Sequence, residues 1–303
     1  MYKNKPSVGC MNINNTNNII TPNDEYSLME SEVMKVRDCV DGAFFVKHEG
    51  TKYLAHPSDV DQTSPAQIAR YNRFKQNASF VEVPGQTLKA VVGKLKLDDA
   101  TYEVPDKLEY LLYDVDKDGL SITGMCEDLA SEQVQVKWSL LVSDYQGLTD
   151  VDTSELSIED LDNLNPRATI NQYTRESVID WAFSRVNGRM QLVYVLLVER
   201  AEEFDYNDLT NGTVKDDVES YLKLALDEDG YYYQQKIVSG SDSNGIQEGK
   251  ANYPRVNKSM LTYLPVEIVS DTEFSGNTLP KQLGYLSGIC DLTLERYNND
   301  ADY

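Results

Sequence analysis

NGRMQLVYVLLVER, residues 187–200, is the stretch on which the fold turns. Asn-Gly is the dipeptide best suited to a two-residue hairpin turn, because both positions accept positive φ at low cost. The run from Met190 to Arg200 is apolar on both faces and rich in β-branched residues, the pattern of a strand covered on either side. It is expected to lie centrally in a sheet, with Asn187 and Gly188 setting the turn before it.

Working upstream, Ser177 to Arg185 reads as a helix with Val178, Trp181 and Ala182 on one face, so Trp181 is expected to anchor that helix to the sheet. Thr169 to Tyr173 and Val136 to Asp144 read as strands. Helices are expected from Glu25 to Asp41, capped by Gly42, from Pro65 to Lys75, and from Gly124 to Gln135. Between the last two, Pro84-Gly85 reads as a break, followed by the apolar stretch Gln86 to Lys94 and a short strand at Leu95 to Leu97. Downstream, two β-rich runs within residues 220–238 flank Asp227-Glu-Asp-Gly230 as a hairpin. Residues 260–269 suggest an edge strand, since Pro265 has no amide hydrogen for a ladder. Strands and helices alternate without regular βαβ spacing, which points to an α+β fold, a mixed sheet with packed helices, and not to a doubly wound parallel sheet.

The final stretch, LPKQLGYLSGICDLTLERYNNDADY at residues 279–303, reads as an amphipathic helix. Thr278 serves as its N-cap and Pro280 sits in the first turn, where a missing amide hydrogen costs nothing. Leu283, Leu286, Ile289 and Cys290 recur at helical spacing, and Leu294 and Tyr297 continue near that face. Lys281, Asp291, Glu295 and Arg296 lie largely outside it. With no cap glycine after it, the chain reads as cut short. The expected organisation is a flexible arm over residues 1–24, a body over 25–278 and this helix over 279–303.

The chain of 303 residues carries 50 acidic and 28 basic side chains, a formal charge of -22. Such a charge opposes adhesion to nucleic acid or anionic lipid, which works by releasing counterions to Lys and Arg. Cys10, Cys39, Cys126 and Cys290 are far apart and form no CxxC, so reduced thiols are expected, not a zinc site or a disulfide framework. The longest apolar run, Leu192 to Val198, falls far short of the roughly 20 residues a bilayer span requires, and no signal-like segment opens the chain. A soluble chain with no membrane partner is expected.

Asp114-Val-Asp116-Lys-Asp118-Gly119 places carboxylates at the first, third and fifth positions of a calcium loop with glycine at the sixth. The twelfth position, which should supply a bidentate carboxylate, is Met125, and Glu127 comes two residues late. An acidic turn explains the same letters, so no metal is assigned; a calcium-dependent interaction module centred on Asp114, Asp116 and Asp118 is the alternative function. His48 and His56 are the only histidines and neither has a cysteine neighbour, while GxGxxG and GxxxxGK[ST] elements are absent from the sequence. No catalytic residue and no cofactor is assigned. The run Tyr231-Tyr232-Tyr233 reads as a strand with alternating buried and exposed rings.

Taken in order, several of these stretches resemble a portal-like family of tailed bacteriophages, first catalogued as a domain of unknown function. The resemblance runs from about Ser31 to Tyr303. It is carried by Tyr71-Asn-Arg73 through Phe80 with Val92-Gly93; by Asp114-Val-Asp116 with Gly119-Leu-Ser121; by Tyr173 with Glu176-Ser-Val-Ile-Asp-Trp181 and Asn187-Gly188; by Leu264-Pro-Val266; and by Leu279-Pro280 through Arg296-Tyr297 to Ala301-Asp-Tyr303. It implies a non-enzymatic ring subunit, dodecameric in such assemblies, at a capsid vertex of the virion, put together in the host cytoplasm. Its partners would be further copies of itself, terminase, capsid and head-tail adaptor proteins, with double-stranded DNA passing through and not bound by sequence. The body would be the wing and residues 279–297 the first stem helix, packed through Leu283, Leu286 and Ile289. The family continues through a clip and a returning stem helix, which this sequence does not contain.

Overall fold

The computed structural model describes residues 20–56, 64–95, 100–146, 157, 167–186, 188–204, 214–239, 246–256, 259–271 and 279–299. Most of the arm read at 1–24 lies outside them. Among the described residues five α-helices precede ten strands and one follows them: α1 (Asp24–Asp41), α2 (Ala43–Glu49), α3 (Pro65–Asn77), α4 (Val83–Leu95), α5 (Ile122–Val136) and α6 (Leu286–Asn299). The strands are β1 (Trp138–Gln146), β2 (Arg167–Tyr173), β3 (Val178–Val186), β4 (Arg189–Phe204), β5 (Val214–Leu226), β6 (Tyr232–Ser239), β7 (Ile246–Glu248), β8 (Arg255–Val256), β9 (Ser259–Met260) and β10 (Val266–Ser270). The class is α+β, and every strand pairing among the described residues is antiparallel.

The strands form a three-stranded sheet in the order β10-β1-β2, a five-stranded sheet in the order β3-β4-β5-β6-β7, and the small β8-β9 pair. As its pattern requires, β4 has buried side chains pointing both ways, with Val193, Val195 and Leu197 alternating with Tyr194 and Leu196. Those residues join Trp138, Leu140 and Val142 of β1, Leu224 of β5 and Tyr232 and Ile237 of β6 in one core between the two larger sheets. A second core belongs to the helices: Val36 and Cys39 of α1, Val46 of α2, Phe80, and Leu286, Cys290, Leu294 and Tyr297 of α6.

Two sequence expectations fail here. Within the stretch Ser177 to Arg185, residues from Val178 on belong to strand β3, paired in an antiparallel ladder with β4 across the turn at Gly188, and not to a helix. A two-residue turn fixes strands on both of its sides, and Val178, Ile179 and Val186 accept that state readily. Gly188 adopts φ +81° in the turn, while Asn187 lies outside the described residues. Pro84-Gly85 does not break the chain either: both residues sit in the first turn of α4, where proline is tolerated. A Cβ on Gly85 would approach the Val40 carbonyl oxygen to 2.6 Å, so glycine there lets α4 lie directly on α1. Helix α2 was not legible, since its seven residues carry only one buried side chain, Val46.

Candidate functional site

The short helical turn Arg175–Ser177, between β2 and β3, is where helices and sheets meet. Arg175 is buried, and its guanidinium donates to the carbonyl oxygens of Val136 (2.8 Å), Gln282 (2.7 Å) and Lys281 (3.3 Å). The Trp138 ring stacks near it, 5.4 Å from the guanidinium carbon. Burial pulls its pKa down to about 10, still a cation at neutral pH, and the carbonyls and ring face supply the negative charge density that offsets the lost hydration. Next to it, Glu176 accepts from Arg37 Nε (2.8 Å) and Nη2 (3.0 Å). Arg37 also donates to both oxygens of Glu132 at 2.8 and 2.7 Å and to the Gln135 side chain at 3.0 Å. Burial works against the Arg37 cation, but its hydrogen bonds to Glu132 and Glu176 outweigh it and hold the charge firmly on. One arginine of α1 thereby ties α5 to the entrance of β3. Asn23, which caps α1 through Glu25, reinforces the joint by donating from its backbone to the Ile179 carbonyl at 2.8 Å. Residues 20–23 are therefore part of the body, against the expectation that the arm extends to residue 24.

The second side of this clasp is the strap at residues 279–284. Trp138 Nε1 donates to the Pro280 carbonyl at 3.0 Å, Arg175 takes those of Lys281 and Gln282, and Gly284 donates to the Gln135 carbonyl at 3.2 Å. Carbonyls engaged in this way are lost to intrahelical bonding, which is why the helix starts at Leu286 and not near residue 280 as expected. A Cβ at Gly284 would stand 2.2 Å from the Val134 oxygen, so only glycine lets the strap meet the end of α5. Beyond the strap, α6 lies in the helical core. Tyr297 packs edge-on against Phe80 with ring centroids 5.8 Å apart, and Asn298 donates to the Tyr53 carbonyl at 2.7 Å. Near them Tyr71 donates to the Leu54 carbonyl at 2.7 Å and its ring meets that of His56 at 3.9 Å.

The residues read as stem-packing divide accordingly. Leu286 and Tyr297 are buried, Ile289 is half-buried against the same core, and Leu283 is half-buried in the strap, outside the helix. The apolar stripe of α6 is closed by its own chain. The outward face carries Gly288, Leu292 at 68% exposure, Glu295 and Arg296. Trp181 is half-buried on β3 and lines an apolar crevice with Met29, Val33, Val178 and Leu279. It packs against the sheet core from strand β3 and does not anchor a helix of its own.

Asp114, Asp116 and Asp118 occupy a turn in which the carboxylates of Asp114 and Asp116 are already engaged. Asp114 Oδ1 accepts from the amides of Lys117 (2.8 Å) and Gly119 (3.0 Å), and Oδ2 pairs with the Arg167 guanidinium. Asp116 Oδ1 accepts from Asp118 (2.8 Å) and Leu120 (3.1 Å). These bonds fold the turn onto β2, and among the described residues no group of three His, Cys, Asp or Glu side chains is arranged to hold a metal ion. Sequence reading missed Arg37, Arg175 and Gly284. Of the resemblance residues, Glu176 stands in the clasp, while Tyr71, Phe80 and Tyr297 meet around the end of α6. Compared with known proteins, the chain matches no family model and no curated protein.

Proposed function

We propose that this protein is a structural subunit of a phage portal ring, the passage for DNA at a capsid vertex, and that it acts by assembly and not by catalysis. The observation that carries the reading is the order of the resemblance motifs along the chain together with where they fall. Four of their residues, Glu176, Tyr71, Phe80 and Tyr297, stand at the joints that hold the strap and α6, the part the resemblance equates with the stem, against the body. Two further features support it. Helix α2 turns Phe44, 74% exposed, and Phe45, 46% exposed, away from its own core, as a surface awaiting another subunit does. The charge of -22 suits a conduit from which duplex DNA must slide free. In this reading the outward face of α6, with Leu292 and Glu295, lies toward the channel or the next subunit.

Negative-stain imaging of the purified protein tests the proposal. Rings with an axial opening are expected, and Phe44→Glu should abolish them while leaving the fold intact, because an exposed position tolerates charge. Uniform single-subunit particles at every concentration would remove the reading.

A further inference from the structure

We infer that Cys39 and Cys290 form a latent disulfide site, through which an oxidising small-molecule disulfide can covalently lock α6 to α1. The inference does not depend on the portal reading. Both thiols are free and fully buried, and both belong to the helical core, between Val36 on one helix and Leu286 and Leu294 on the other. The register that brings them together is pinned one residue along α6 and one turn back along α1, where Lys35 Nζ meets Asp291 at 2.7 Å. The neighbouring thiols act on each other: that interaction, followed by burial, raises the Cys39 pKa, and the same interaction, against burial, lowers that of Cys290, so Cys290 is the thiol that ionises first. Cys126 is exposed and has no place in this core, which makes it an internal control.

The chemistry is ordinary thiol-disulfide exchange. With oxidised glutathione as the oxidant, the Cys290 thiolate attacks one sulfur of the small disulfide, forms a mixed disulfide and expels a glutathione thiolate. Cys39 then loses its proton to solvent and its sulfur attacks that of Cys290, expelling the second glutathione thiolate. Two protein thiols are oxidised by two electrons, one glutathione disulfide is reduced to two thiols, and the released protons reside on those thiols. Because neither sulfur is open to solvent, the first attack requires α6 to lift from α1, so the rate of locking reports the opening of that helix.

The test uses the full reduced chain in a series of oxidised and reduced glutathione mixtures, followed by alkylation and peptide mapping without reductant. The expected product is a peptide joining Cys39 to Cys290, with a loss of one H2 per chain, a higher melting temperature reversed by dithiothreitol, and faster formation in mild urea. Cys39→Ser or Cys290→Ser should remove the shift in melting temperature. If either variant fails to fold, the peptide map of the unaltered chain decides alone. Recovery of Cys39 and Cys290 as alkylated thiols under conditions that fully modify Cys126 would overturn the inference. So would a cross-link of either residue to a different cysteine.

Discussion

Arg175 carries more of this structure than any residue the sequence drew attention to, because a buried guanidinium with three carbonyl partners holds β3, α5 and the strap in one place. Arg175→Met should lower unfolding stability by about 3 kcal/mol, since charged hydrogen bonds of this kind each contribute more than neutral ones and three carbonyls would lose their donor; urea denaturation measures it. Nothing in the local sequence announces this role, as its partners lie 39 and 107 residues away. Trp181 errs in the opposite direction: a large aromatic looks like a core anchor, yet half-burial at a crevice predicts a cost of only about 1–2 kcal/mol for Trp181→Ala. At Asp114 the hydrogen bond from Arg167 holds the carboxyl below its ordinary value of 3.8. A depressed folded-state value means that the folded chain binds fewer protons than the unfolded chain in acid. The contribution is complete above about 3.8 and is lost as pH falls from there through the lower folded value. Asp114→Asn should therefore reduce stability at neutral pH and flatten its fall below that point, as read by melting temperature against pH.

At the scale of elements, periodicity found α1, α3, α5 and β4 because burial follows one face of a helix, or both faces of a central strand, within a few residues. It failed where tertiary partners override local preference. β3 is a strand because a hairpin turn pairs it with β4, and the Asn-Gly dipeptide already contained that instruction. The stripe of α6 was legible, but the destination of the stripe was not: nothing local distinguishes a helix that docks on its own body from one that docks on a neighbour. The Tyr297 side chain tests the docking. Tyr297→Ala should cost about 3–5 kcal/mol through the cavity left against Phe80. Tyr297→Phe should be close to neutral or slightly stabilising, because the buried hydroxyl has no hydrogen-bond partner among the described residues. Gly284→Ala should loosen α6 by forcing the strap off the end of α5, and amide hydrogen exchange would show it as faster exchange over residues 286–299 with β4 unchanged.

At the scale of the whole molecule, composition and the succession of elements were enough for the α+β class, whereas the division into two cores and two larger sheets depends on contacts between distant segments. The arrangement suits a part made for assembly: a sheet body, a helical layer with outward phenylalanines, and helix α6, whose buried face is fixed in the helical core and whose other face exposes Leu292. The most direct measurement is the mass of the purified protein by native mass spectrometry over a wide concentration range. A single closed oligomer built from many copies of the 34.3 kDa chain is the expected result, with the Phe44→Glu variant reduced to one copy. A monomer throughout, identical for the unaltered chain and the variant, would contradict it.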